Sequence, residues 1–574
     1  MNPNENKTVG KYVTPMMPVI TLTFVIKFIG SIAELFLPSL LSVMVDDIAP
    51  TKNVKTMLLF GGLMVLCALV ALICNIVANR RASKTGSLIT KEIRHDLYDK
   101  TLSLSCRKTD EFTVPTLISR LTSDTYNVHN MLLMVQRIGV RAPIMVIGGV
   151  IIAAFLDPIL TLILVALMPI VFISVFFISR KGVKLFGKVQ ENADEMVGML
   201  REHMDGIRVI KALSKTEYER KRFEQINENI YDCDKKAATV TGLSSPIMTL
   251  LLNCGLVLAI VIGAMRVEAR LTNPGVILAF LSYFTIILHA MMMVTRLFMN
   301  LSKGLASAKR LNEVLTAESE HYEEGEAPIE TDMHVSFENV TFSYLGNRNN
   351  IESLDFSLKK GESLGIIGAT GSGKTTVISL LLRFYAANGG VIRINGEDVR
   401  TIPREKLYAM FGFALQTDFL MSDKIIENIR FGRDITDEEI KDAAVCAMAH
   451  DFITEKQDGY DHLLNVKAAN LSGGQKQRML IARALAGDPE ILILDDSCGG
   501  LDYKTDADLR KNISDKYNSC TKIFVAQRIA TVKDCDRILV LDDGKVIGDG
   551  KHQELMQTCD VYRETARAQM NVNE

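Results

Sequence analysis

Gly368-Ala369-Thr370-Gly371-Ser372-Gly373-Lys374-Thr375 is the stretch on which the reading of this chain turns. It fits the pattern G-x-x-x-x-G-K-[ST] at every position. Ser363 to Ile367, just before it, is a short apolar run that reads as a buried strand, and Thr376 to Phe384, just after it, reads as a helix. A glycine-rich loop between strand and helix lets backbone N–H groups close around phosphates. The positive end of the following helix adds to the attraction. Lys374 is placed to reach β- and γ-phosphates, and the Thr375 hydroxyl to hold Mg²⁺.

Working outward, the 574 residues allow several domains, and a net charge of −2 gives no electrostatic case for nucleic acid. Six apolar runs are each long enough for a bilayer, which takes about 20 residues. They lie near 15–45, 54–79, 131–156, 157–179, 243–265 and 273–300. Only Asp157-Pro158 separates the third from the fourth. Arg80, Arg81 and Lys84, then Arg180, Lys181 and Lys184, then Lys303, Lys309 and Arg310 follow alternate runs. By the positive-inside rule these ends are cytoplasmic, as is an N-terminus carrying Lys7 and Lys11. Arg266 and Arg270, in an outer loop, count against that orientation. No cleaved signal peptide is expected. The ten cysteines show no C-x-x-C pair or metal-ligand spacing.

The stretches 80–130 and 180–240 carry mixed charge at helical spacing and read as membrane helices continuing into the cytosol, with breaks near Asp110 to Pro115 and Asp205-Gly206. Lys27 and Glu34 share a face of the first apolar run. Arg137 and Arg141 lie on the third, and His289 and Arg296 flank Met291, Met292 and Met293 on the sixth. Lys27, Glu34, His289 and Met292 are candidate lining of a substrate cavity. Internal pairing, snorkelling or ordinary packing are the alternatives. Residues 1–316 therefore form an α-helical membrane domain with long cytoplasmic extensions. The acidic run from Glu318 to Glu326 marks a linker over 317–332. Residues 333–574 alternate strands and helices, as in a parallel-sheet α/β nucleotide-binding domain with a helical subdomain.

Two motifs follow the phosphate loop. Ile491-Leu492-Ile493-Leu494-Asp495 is a buried strand delivering a carboxylate to Mg²⁺. Leu471-Ser472-Gly473-Gly474-Gln475 opens a helix and suits a second phosphate contact. With these in order, the chain resembles ATP-binding cassette (ABC) exporters of the six-helix, membrane-domain-first kind over essentially its whole length. The resemblance also covers Tyr344 in Phe342-Ser343-Tyr344, Gln416 in Ala414-Leu415-Gln416, and Asp502 after Leu501. It implies that Tyr344 stacks on adenine and that Gly368 to Thr376 bind the ATP phosphates. It implies that Gln416, with Thr375 and Asp495, reaches Mg²⁺ and couples the nucleotide to the membrane domain. Two cassettes would close head to tail, so that Ser472, Gly473, Gly474 and Gln475 act on the partner's ATP. Cross-helices near 110–119 and 211–220 would transmit closure.

The departures from the family pattern are informative. The family carries Glu after the strand Asp, where this chain has Asp496, and a switch His where it has Gln527 in Ile523-Phe524-Val525-Ala526-Gln527-Arg528. The Asp carboxylate is retracted by roughly 1–1.5 Å, and a misplacement of about 1 Å can cost on the order of 10²-fold in rate. A neutral amide cannot become cationic. Val466-Lys467-Ala468 replaces the usual Gly-Glu-x-Gly, and Cys498-Gly499-Gly500 the usual small polar run. The signature Leu471 to Gln475 is intact. The combination implies a heterodimer. This chain binds ATP in a degenerate site and completes a competent site whose Glu and His belong to a second, non-identical half-transporter. A homodimer with two slow sites is the alternative. The expected function is export of small amphipathic molecules across the plasma membrane. Lipid flipping, peptide export and an ATP-gated channel are rivals. With a short N-terminal tail no processing peptidase domain is expected, which weakens one class of peptide export.

Overall fold

The computed structural model describes residues 9–319, 328–416, 418–497 and 499–570. Lys7, most of the acidic run within the expected 317–332 linker, and Cys498 lie outside them. The chain divides into two compact units, Met1–Ser103 with Phe112–Ala317, and Leu104–Glu111 with Glu318–Glu574.

In the first unit, six of the described helices are long and apolar enough to cross a membrane: α1 Val9–Thr51, α2 Val54–Leu102, α3 Val114–Leu156, α4 Pro158–Asp205, α5 Thr216–Glu268 and α6 Pro274–Leu315. With 42 to 53 residues each, they run roughly 63 to 80 Å, about twice the hydrocarbon thickness. Their ends are set locally. Asn53 caps α2 by accepting from Lys55 N–H at 3.1 Å. Asp157 caps α4 by accepting from Ile159 and Leu160 N–H, with Pro158 at the first helical position, where its missing donor costs nothing. The buried Asp157 also pairs with Arg266 at 3.0 Å. Of the two charges that counted against the orientation, Arg266 is therefore tied up in an ion pair, while Arg270 is exposed.

Phe280, Tyr283, Phe284 and Ile287 recur at helical spacing on α6 and are fully buried against Leu35, Leu160 and Leu164. Beside Pro38, which interrupts the α1 ladder, the Tyr283 hydroxyl donates to Leu35 O at 2.6 Å. The polar halves of α4 and α5 are bound to each other by His203 and Glu219 at 2.7 Å.

The short cross-helices lie earlier than the sequence suggests. They span Cys106–Phe112 and Ile207–Ala212, rather than 110–119 and 211–220. Pro115 occupies the first turn of the next helix, which tolerates it, instead of ending the previous one.

In the second unit, β3 (Ser363–Gly368), β6 (Phe411–Ala414), β7 (Ile491–Asp495), β8 (Thr521–Ala526), β9 (Arg537–Asp542) and β10 (Lys545–Gly550) form a sheet in the order β10-β9-β3-β8-β7-β6. All pairs are parallel except β10 with β9. A four-stranded antiparallel sheet, in the order β2-β1-β4-β5, holds β1 (Met333–Phe342), β2 (Ile351–Lys359), β4 (Gly389–Ile394) and β5 (Glu397–Asp398). A helical subdomain precedes β7 and ends in α8, Gly473–Leu485. Every residue of β7 is buried, as a strand covered on both faces must be. Three carboxyl ends are aligned: Ile367 lies beside Ala526, and Asp495 beside Val525. That register brings three motifs, far apart in the chain, to one edge of the sheet.

Candidate nucleotide site

The loop from Gly368 to Lys374 joins β3 to α7, Lys374–Leu381. Gly371 and Gly373 take φ of +86° and +101°, open to glycine without steric cost. A Cβ on Gly373 would meet Ile351 Cδ1 at 2.8 Å, whereas one on Gly371 would meet nothing within 4 Å, so the loop is tight behind and open in front. Lys374 Nζ folds back to donate to Gly368 O and Ala369 O, both at 2.8 Å. Burial lowers its pKa, while the charges of Asp495 and Asp496 act to raise it.

Burial raises the Asp495 pKa, with a smaller push from Asp496, while a hydrogen bond from the Thr375 hydroxyl and the Lys374 charge oppose it. Ser372 Oγ and Asp495 Oδ2 are buried without a hydrogen-bond partner. Orphaned groups at a helix N-terminus beside a lysine fit a polyphosphate with its metal. Thr375 and Asp495 would hold Mg²⁺, with Gln416 two residues beyond β6 as a further ligand. When bound, the ion would supply positive charge against that of the phosphates.

Tyr344 is 38% exposed, with its ring edge-on to Phe342 and Tyr385 at 4.8 and 4.9 Å and its hydroxyl 3.4 Å from Thr376 Oγ1. Its exposed face is available to a base. Sequence reasoning missed Tyr385, whose hydroxyl donates to Asp110 of the 104–111 segment, a part of the same unit. Burial and that carboxylate raise the Tyr385 pKa.

The two departures from the family pattern meet. Asp496 follows β7 at φ +48°, and its N–H donates to Val525 O at 2.8 Å. Its Oδ2 accepts from Gln527 Nε2 at 3.2 Å. Arg528 ties the next turn across by donating to Gly499 O and stacking on the Tyr503 ring.

In the signature, Ser472 caps α8 by accepting from Gln475 N–H at 3.3 Å, and the Gln475 side chain accepts from Ser472 N–H at 2.9 Å. Gly473 has nothing within 4 Å of its absent Cβ, so this helix end presents bare backbone. Just upstream, Lys467 and Ala468 hold φ of +56° and +49°. Both lie in the left-handed region that favours glycine. Asp502 caps α9, Tyr503–Lys516, by accepting from Thr505 N–H, which lowers its pKa.

The membrane candidates separate. Lys27 is 2% exposed, and its ammonium donates to Asn75 at 2.7 Å and Asn79 at 3.1 Å on α2. It is a helix–helix contact, not a cavity wall in this conformation, because the two amides one turn apart enclose it. Glu34 pairs with Arg141 on α3 at 2.8 Å and remains half-exposed. His289 is exposed, with Nδ1 against Thr285 O, and Met292 is half-buried on the bundle core.

Residues 20–291 match the family described as ABC transporter transmembrane region, and residues 351–499 match that described as ABC transporter. The uncharacterized ABC transporter ATP-binding protein YfiB of Bacillus subtilis is 33% identical over 538 residues, which is 93% of this chain and 94% of that protein. The uncharacterized ABC transporter ATP-binding protein Rv1273c of Mycobacterium tuberculosis is 30% identical over 567 residues, 97% of each. A solved bacterial Atm1-family ABC exporter with ATP bound shares the fold at a TM-score of 0.83 and 23% identity, over 97% of this chain and 100% of that one. The chain belongs to the ABC transporter family, as a half-transporter with membrane domain and cassette on one polypeptide. It is a multi-pass membrane protein with a cytoplasmic cassette, built for ATP-driven transport.

Proposed function

We propose that this chain is the degenerate-site subunit of a heterodimeric exporter. In this reading it retains ATP at its own phosphate loop, lends Leu471 to Gln475 to the competent site of a non-identical partner, and moves small amphipathic molecules out across the plasma membrane. The observation that carries the reading is the 3.2 Å contact between Gln527 Nε2 and Asp496 Oδ2. A carboxylate that orients or deprotonates a water must stand within hydrogen-bond reach of it. Asp496 is one methylene short of that task, and the oxygen nearest Gln527 is already engaged. Gln527 donates a hydrogen bond but brings no positive charge. Lys374, Ser372 and Thr375 retain what binding needs, so the residues present favour holding nucleotide over turning it over.

Amphipathic cargo is supported by polar groups within the bundle, Glu34 with Arg141 on α1 and α3 and His289 beside Met291 and Met292 on α6, which offer ionic and adaptable apolar contacts together. ATP binding would favour the closed dimer and an outward-facing state, and cargo shifts that balance only through its different affinity for the two states.

The test is ATPase activity in lipid for this chain alone, for the chain with its partner, and for that pair with the partner's catalytic Glu replaced by Gln. The reading expects near-zero, robust and collapsed activity in that order, with amphipathic compounds changing the second. Substantial turnover by this chain alone would favour a homodimer with two slow sites. ATP-gated conductance without uphill transport would replace export by a channel.

A further inference from the structure

The last described helix, α10 (Asp560–Met570), docks through Tyr562 and Ala566, each 1% exposed in the cassette core, while the Tyr562 hydroxyl hydrogen-bonds His552 Nδ1 at 2.7 Å. Gln569 lies seven residues beyond Tyr562, on the same helix face. Its side-chain amide makes two contacts with one turn of backbone. Nε2 donates to Gln527 O at 2.8 Å, and Oε1 accepts from Ile529 N–H at 2.8 Å. Ile529 opens a short helix, Ile529–Val532, so its N–H is one of those a helix start leaves without an internal partner. One amide thus satisfies an orphan donor and the carbonyl of the switch position together.

We propose that Gln569 is a positioning residue for Gln527, and through it for nucleotide retention at this chain's own site. The inference rests on the degenerate-site reading above. The line of action runs from the docked helix, through the Gln569 amide, to the Gln527 backbone, and then through the Gln527 side chain to Asp496. A polar contact at both ends of a three-residue turn leaves that turn little freedom. Without it, the Gln527 carbonyl and the Ile529 N–H lose their shared partner, and the segment keeps the Gln527 bond to Asp496, the Arg528 contacts to Gly499 and Tyr503, and the burial of Ile529.

The experiment measures release of a fluorescent ATP analogue with Mg²⁺ from the assembled transporter in lipid nanodiscs, its partner carrying the Glu-to-Gln change. Gln569→Met keeps length and packing and removes both bonds. It is expected to speed release from this chain's site roughly tenfold, the scale of one to two net hydrogen bonds, with the thermal midpoint lowered by no more than a few degrees. Gln569→Glu keeps the acceptor for Ile529 N–H, loses the donor to Gln527 O, and is expected to speed release as well. In a Gln527→Ala background, which is itself fast, Gln569→Met should add nothing, because its path is already cut. Normal release by both Gln569 variants, or an additive double variant, would overturn the positioning role while leaving the degenerate-site reading intact. Normal release by Gln527→Ala would overturn the inference in the same way, because nothing would then pass through Gln527 to the nucleotide, whereas recovery of the analogue as its diphosphate from this chain's site would overturn the degenerate-site reading itself.

Discussion

Restoring the two departures should restore hydrolysis. Asp496→Glu advances the carboxylate by one carbon–carbon bond, about 1.5 Å, and Gln527→His supplies an imidazole in place of the amide that now holds Asp496 at 3.2 Å. A misplacement of about 1 Å is worth on the order of 10²-fold, so the double variant should raise turnover at this site by about that factor. Asp496→Glu alone should gain less, because Gln527 still competes for the carboxylate. The change has a conformational cost. Asp496 sits at φ +48°, where a short polar side chain is tolerated better than a long one, so about 1 kcal/mol of cassette stability should be lost. The assay is phosphate release by the assembled transporter with the partner's catalytic Glu changed to Gln, which leaves this site as the source. A double variant that binds ATP normally and gains less than about threefold would refute the reasoning, and so would a full gain from Gln527→His alone.

Other outcomes follow from the same geometry. Ser472→Ala removes the cap on α8 at about 1 kcal/mol, which the fold should survive. Turnover at the partner's site should fall at least about tenfold while ATP binding at this chain's own loop stays unchanged, as site-specific nucleotide labelling would read. Tyr385→Phe keeps the ring against Tyr344 and deletes the hydroxyl bond to Asp110. ATP affinity should hold within about threefold, the loss of less than one net hydrogen bond, while transport per ATP falls. His334, buried with Nδ1 2.6 Å from Thr521 Oγ1, has its pKa lowered first by burial and further by Lys360, against an opposing pull from Glu490. The unfolded state then binds the extra proton between the lowered folded pKa and the ordinary value near 6.5, so stability should fall as pH drops below about 6.5. Thermal melts of the transporter between pH 7.5 and about 5 should show that slope, and His334→Asn should flatten it.

How much of this was legible in the chain depended on distance along it. The phosphate loop, the β7 carboxylate and the signature are local patterns, and each lies at the end of the strand or start of the helix that its apolar neighbours imply. The pairing of Asp496 with Gln527 was not readable, because it exists only through the parallel register that sets Asp495 beside Val525. Whether Lys27 lines a cavity or pairs internally is hidden in the sequence for the same reason. Its partners Asn75 and Asn79 lie 48 and 52 residues away, and one-dimensional periodicity cannot set one helix's rotation against another. The first cross-helix slipped by several residues because a proline, here Pro115, marks either the end of one helix or the first turn of the next. Tyr385 and Gln569 carried no motif at all. Their roles come from an aromatic cluster and a docked helix that only the folded cassette assembles.

The most direct test of the central claim is the chemical state of the retained nucleotide. The wild-type transporter, purified with its partner in lipid nanodiscs, is cycled with radiolabelled ATP and Mg²⁺, stripped of free nucleotide, and crosslinked chain by chain. The account expects intact ATP on this chain and ADP or nothing on the partner. ADP recovered equally from both chains would contradict it, because Asp496 and Gln527 would then form a working hydrolytic pair.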